Sequence, residues 1–275
     1  MKIPALIIIV FFLVQNSNAA ISNDSLDVSR RLEDLFARLH KSFDDEAKIR
    51  INDSVRMILT SYATSDTLFS HRFDNLRTLG QITSPDSLLK ILTWNLFLGD
   101  GTNKYHLYII RRSNPQEKCR IYDLSGQFSE KPVRTDTIYS ESDWYGALYY
   151  EAKPFSDEGR TVYVLLGIDF GNSFITRKMI EVLSFKDDGS LVFGKEWFVT
   201  DEMRKSRVVI EYGSSAVASM RFVDDSTIAF DHLVPVSPEH KNDRRYYVPD
   251  YSYNAWIFKN GFWRLELDVD IRNRE

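Results

Sequence analysis

From residue 75 to the C-terminus the chain alternates between short runs rich in Val, Ile, Tyr, Phe and Trp and clusters of turn formers. The turn signals include Ser84-Pro85-Asp86, Asp100-Gly101, Asp188-Gly189, Asp224-Asp225 and Asn260-Gly261. Asn-Gly and Asp-Gly accept the positive φ angles that tight hairpins demand. Strands joined by hairpins pair antiparallel, whereas a parallel sheet needs long crossovers between its strands. The expected fold class is mainly β, α+β overall, with an N-terminal helical segment followed by an antiparallel multi-hairpin β domain. A sandwich, a twisted sheet or a partial barrel would each satisfy this pattern. The 18 Phe, 14 Tyr and 5 Trp suit packed pleated surfaces.

Two hairpins allow a register to be written down. With Asn260-Gly261 as a two-residue turn, Phe258 faces Trp263, Trp256 faces Leu265 and Ala255 faces Glu266. With Asp100-Gly101 treated alike, Trp94 faces Leu107, Leu96 faces Tyr105, and Asn95 faces His106. In both hairpins one face is more apolar than the other, as a sheet with one side on a core requires.

Residues 24–64 read differently. Val28, Leu32, Leu35, Phe36, Leu39 and Phe43 recur at spacings of three and four, with charged residues between them, which is one apolar stripe on an α-helix. Val55, Ile58, Leu59 and Tyr62 make a second stripe. Asp44-Asp45-Glu46 suits the first turn of a helix, where acids meet the positive end of the dipole. The pattern fits two helices or one long bent helix, because no Gly or Pro marks the joint. A large exposed stripe along Val28, Leu32, Leu35 and Leu39 would mark a docking face for another chain.

At the N-terminus, Lys2 is followed by a twelve-residue apolar run, residues 3–14, and then by Ser17-Asn18-Ala19-Ala20. A basic start, a short apolar stretch and a small-x-small end are the parts of a cleavable signal peptide. The run is shorter than the roughly 20 residues that span a bilayer. The expected organisation is a signal peptide over 1–19, a helical segment over 20–70 and an antiparallel β domain over 71–275. The expected location is periplasmic or secreted, with no transmembrane segment in the mature chain. The one cysteine, Cys119, cannot form an internal disulfide, so the fold rests on its core. A formal net charge of −4 gives no electrostatic footprint for nucleic acid.

Candidate chemistry is sparse. Asp231-His232 invites a base-and-orienter reading, but neighbours in a strand point to opposite faces unless a bulge intervenes. Asp169-Phe170-Gly171 copies the magnesium-binding tripeptide of protein kinases without its companion motifs, and reads as a turn. The five histidines have no metal-ligand spacing on one helix, so no metal and no cofactor is expected. Asp250, Glu211 and Glu181 sit beside aromatics and are the acids to watch for a paired-carboxylate glycosidase site. Residues 246–256 are the most aromatic-dense segment, and Tyr247, Asp250, Tyr253 and Trp256 are its candidate binding residues.

Several phrases resemble a recurrent group of exported, uncharacterised proteins of Bacteroidota. They are Ser84-Pro85-Asp86 with Thr93-Trp94-Asn95, Trp144-Tyr145-Gly146-Ala147-Leu148-Tyr149-Tyr150, and Leu165-Leu166-Gly167 with Arg177-Lys178-x-Ile180-Glu181-Val182-Leu183. Phe230-Asp231-His232-Leu233 and Tyr247-Val248-Pro249-Asp250 complete the set. The resemblance implies export and a domain over residues 70–275, and carries over no functional residue. The reading that follows is a non-enzymatic binding or envelope-associated module, with a glycan, a peptide or an envelope protein as partner. The alternative is a periplasmic or secreted hydrolase acting on glycan or peptide through paired carboxylates.

Overall fold

The computed structural model describes residues 23–63, 67–114, 117–127, 129, 131, 133–200 and 203–271. The expected signal peptide, residues 1–19, lies outside them. No helix among the described residues is long and apolar enough to cross a membrane.

Two helices, α1 (Asn23–Lys41) and α2 (Asp45–Ala63), form a hairpin, followed by the one-turn α3 (Thr67–Ser70). The break between α1 and α2 is set by polar groups rather than by Gly or Pro. Asp44 caps α2 by accepting the Ala47 amide at 2.8 Å, which satisfies one of the orphan donors of the helix start. The stripe Val28, Leu32, Leu35, Phe36 and Leu39 is buried, so it is core and not an open docking face. Phe43 departs from the expectation: it lies past the end of α1 and is 96% exposed.

Three sheets follow. The first runs β1-β2-β3-β4, with β1 Gly80–Thr83, β2 Leu89–Phe97, β3 Asn103–Arg111 and β4 Arg120–Gln127. The second contains β5 (Leu148–Asp157), β6 (Arg160–Asp169), β7 (Ile175–Phe185), β8 (Leu191–Phe193) and β11 (Val208–Gly213). The third joins β9 (Phe198–Val199), β10 (Arg204–Lys205), β12 (Met220–Phe222), β13 (Thr227–Pro235), β14 (Tyr247–Lys259) and β15 (Phe262–Glu266). The pairing is antiparallel as expected, apart from a two-residue parallel contact of β15 with β9.

The layers stack helices, first sheet, second sheet, third sheet. The pleat explains how. On β2, Leu92, Trp94 and Leu96 pack under the helices, while Leu89 and Ile91 face the second sheet. On β6, Tyr163 and Leu165 face the first sheet, while Val162, Val164 and Leu166 meet Trp256 and Trp263 of the third. Both inner sheets are therefore covered on both faces, which is why their strands read as nearly continuous apolar runs.

That double cover decides the fate of the two registers. The β14–β15 hairpin turns at Asn260 and Gly261, both at positive φ, and pairs Phe258 with Trp263 and Trp256 with Leu265 as expected. The β2–β3 hairpin is shifted by one residue: Thr93 faces Leu107, Trp94 faces His106 and Leu96 faces Lys104. Its connection is the five-residue loop 98–102, closed by Leu98 N–H to the Thr102 carbonyl at 2.9 Å, with Asp100 accepting the Thr102 amide. With core on both sides of the first sheet, either register buries apolar side chains, and alternation cannot choose between them.

Candidate aromatic cleft at the β2 edge

A cleft of about 930 Å³ lies at the end of the first sheet, between the helical hairpin and the second sheet. Its floor is made by β2. The β1–β2 pairing stops at Gly80 opposite Thr93, so β2 runs four residues further, Trp94 to Phe97, with only β3 beside it. Thr93, Asn95, Leu96 and Phe97 of β2 line the cleft, and the loop residues 98–101 continue the lining.

Exposed rings surround this edge. Phe97, the last residue of β2, is 59% exposed, Phe170 is 44% exposed, and both line the cleft with Phe43 and Tyr150. Phe170 is held out by a buried anchor. The Asp169 carboxylate accepts the Tyr105 hydroxyl at 2.6 Å and the Gly171 amide at 2.8 Å, and the Tyr105 oxygen accepts the Phe170 amide at 2.8 Å. Gly171 turns at φ +60. The tripeptide Asp169-Phe170-Gly171 is thus a turn, as its missing companions suggested, and the turn aims a ring into the cleft. Burial pushes the Tyr105 hydroxyl well up, so it stays protonated and donates to Asp169.

Polar contacts hold the walls together. Asp45, in the first turn of α2, accepts the Gly99 amide at 2.9 and 3.0 Å through its two oxygens. Lys48, one turn on, donates to the Phe97 carbonyl at 2.6 Å. Asn95 donates to the Asn103 side chain, and Asn103 donates to the Gly171 carbonyl. The helical hairpin, the β2–β3 loop and the turn bearing Phe170 are therefore cross-linked around one opening.

Two of the three acids singled out in the sequence, Glu181 and Glu211, are paired with arginines. Glu181, fully buried, accepts Arg207 Nε at 2.9 Å and the Tyr145 hydroxyl at 2.6 Å. Burial pushes its carboxyl up, and the Arg207 guanidinium opposes the shift. Arg177 lies between Asp169 at 3.2 Å and Glu211 at 2.8 Å, one on each neighbouring strand. A β-bulge does fall between Asp231 and Leu233, at His232. Even so, Asp231 accepts from Ser219, while His232 Nδ1 meets the Asn254 amide at 2.9 Å. Asp231 does not orient His232.

Tyr247, Asp250, Tyr253 and Trp256 do not assemble into one site. Trp256, 3% exposed, is core between the second and third sheets, and Tyr247 is buried with Tyr212 and Ala218. Asp250 is exposed and closes a local turn by accepting the Ser252 amide and hydroxyl, bonds that lower its pKa. Tyr253 is half-buried opposite Asp231. Of the rings in this segment, Tyr247 and Trp256 belong to packed layers, while Tyr246 and Tyr251 are exposed. The cleft rings Phe97 and Phe170 carried no comparable signal, since each stands at the end of an ordinary apolar run.

Among the described residues no three His, Cys, Asp or Glu side chains are grouped to hold a metal ion. Cys119 is half-buried against the first core. Comparison with known proteins returned no matching family model, no matching curated protein and no matching solved structure.

Proposed function

We propose that this protein is an exported, non-enzymatic binding module and that the cleft at the β2 edge is its ligand site. The observation that carries the reading is the convergence of Phe43, Phe97 and Phe170 on one concave opening that is braced from three sides. Large exposed rings gathered in a cleft are costly to leave in water, and covering one stabilises a complex by up to about 2 kcal/mol. A concave, mainly apolar site with a few placed polar groups is the usual form of a ligand pocket. The paired acids support the non-enzymatic side: buried Glu181 and Asp169 and half-buried Glu211 are committed to Arg207 and Arg177.

The experiment is binding of the apolar dye 1-anilinonaphthalene-8-sulfonate to the folded protein. One saturable site is expected, weakened at least tenfold by Phe97→Asp and by Phe170→Asp. Dye binding that ignores both substitutions contradicts the reading. Export rests on the leader pattern of residues 1–19 and on the resemblance to exported Bacteroidota proteins. Sequencing the N-terminus of protein recovered from a bacterial periplasm or medium checks it. A start at Ala20 is expected, and retention of Met1 contradicts it.

A further inference from the structure

We infer that the cleft binds an extended peptide segment, which adds to β2 as a strand beyond the end of β1. This rests on the ligand-site reading above and names the ligand and the way it is held.

In an antiparallel ladder, alternate residues turn both N–H and C=O to the same neighbour. Leu98 N–H bonds to the Thr102 carbonyl, so even-numbered residues at this end address β3. Odd-numbered residues then address the other side. Two contacts agree: the Phe97 carbonyl receives Lys48, and Thr93 is paired with Gly80 of β1. Beyond Gly80 the chain leaves the sheet, because Leu79 bonds back to the Leu76 carbonyl and buries its side chain in the first core. The N–H and C=O of Asn95 and the N–H of Phe97 therefore face the cleft with no strand beside them among the described residues.

The open edge spans four residues, roughly 13 Å at about 3.3 Å per residue. That is the reach of a four- or five-residue extended peptide. Side chains of an added strand would alternate between the helical side, where Phe43 stands, and the second-sheet side, where Phe170 and Tyr150 stand. Main-chain bonds would supply the hold and the rings the preference for apolar residues, the division of labour in strand addition. A glycan cannot present N–H and C=O groups at strand spacing, and three of the four rings carry no hydroxyl.

A library of displayed random heptapeptides is panned on the whole protein, and the tightest binder is resynthesised with each amide N-methylated in turn. Losses of tenfold or more at alternate positions are expected, with the intervening positions tolerated. Asn95→Pro should also lose tenfold or more, since proline is accepted where an edge N–H points outward. Its thermal melt and circular dichroism are checked against wild type. If Asn95→Pro does not fold, the methylation series on the wild-type protein decides. N-methylation tolerated at every position, or losses without alternation, overturns strand addition while leaving the cleft reading intact if Phe97→Asp still abolishes binding. No peptide whose capture depends on Phe97 also overturns it, and the dye titration then shows whether the cleft reading falls with it.

Discussion

Glu181 on β7 and Arg207, in the bend just before β11, face each other with neither side chain reaching solvent, 2.9 Å apart between the second sheet and the segment 134–145. Arg207 also donates to the carbonyls of Arg134, Thr137 and Phe193, and Tyr139 and Tyr145 stack about its guanidinium. The pair is the pin that holds this long connection against β7.

Breaking such a pair leaves one buried charge without its partner, which costs about 3–5 kcal/mol. Glu181→Gln and Arg207→Met should each lower the urea midpoint sharply. The double variant Glu181→Leu/Arg207→Met should recover part of the loss, because no lone charge remains. Chemical denaturation of the three variants measures this. Equal loss in single and double variants would show that the carbonyl bonds, not the charges, carry the stabilisation.

Asp45 ties the helical hairpin to the β2–β3 loop through the Gly99 amide. Asp45→Ala should cost about 1 kcal/mol, below the roughly 1.5–3 kcal/mol of a bond to a charged group because the site is partly exposed to solvent. More tellingly, amide exchange at Gly99 and Asp100 should quicken while exchange at the β2 core residues Ile91 and Leu92 stays unchanged. Uniform quickening would mean that the contact supports the whole fold and not the cleft wall.

His106 sets an acid limit on stability. It is buried, stacks on Trp94 with ring centroids 5.2 Å apart, and its Nδ1 meets Ser125 at 2.9 Å, while its Nε2 has no hydrogen-bond partner. Desolvation, with help from Arg56 and Lys104, pushes its pKa down to about 3. The unfolded chain protonates this imidazole near 6.5 and the native state does so only near 3, so stability is full above 6.5 and falls as pH drops through that window. The slope approaches roughly 1.4 kcal/mol per pH unit. Between about 6.5 and 4.5, above the main carboxylate range, His106→Asn should flatten the decline in urea stability. An unaltered slope in the variant would assign the acid limit to another group.

Phe97 and Phe170 are exposed, so replacing them should affect binding and not folding. Phe97→Asp and Phe170→Asp should leave the melting temperature within about 2 °C of wild type. Differential scanning calorimetry checks this. A fall of ten degrees would make the rings structural.

Particular residues show what could be read from the chain alone. Asn260-Gly261 specified its hairpin because both residues adopt positive φ in a two-residue turn and the strand pair has one distinct core face. Asp100-Gly101 misled by one residue because the first sheet has core on both sides. Trp256 and Tyr247 looked like ligand platforms because their segment is dense in rings, yet a stacked-sheet protein puts such rings inside. Phe43 fell on the helical period, and only the cap at Asp44 takes it off α1. The cleft itself depends on β1 being four residues long beside a nine-residue β2, a difference in pairing that no local pattern encodes.

The measurement that bears most directly on the cleft is amide chemical-shift mapping of the labelled protein during titration with the dye, and then with a panned peptide. The cleft account predicts perturbations concentrated at Asn95, Phe97, Gly99, Phe43 and Phe170, with Asn95 and Phe97 gaining exchange protection only with the peptide. Shifts gathered instead on the groove between α1 and α2 that Arg31, Asp34, Ser54 and Met57 line, or along β14 around Asp250 and Tyr253, would contradict it.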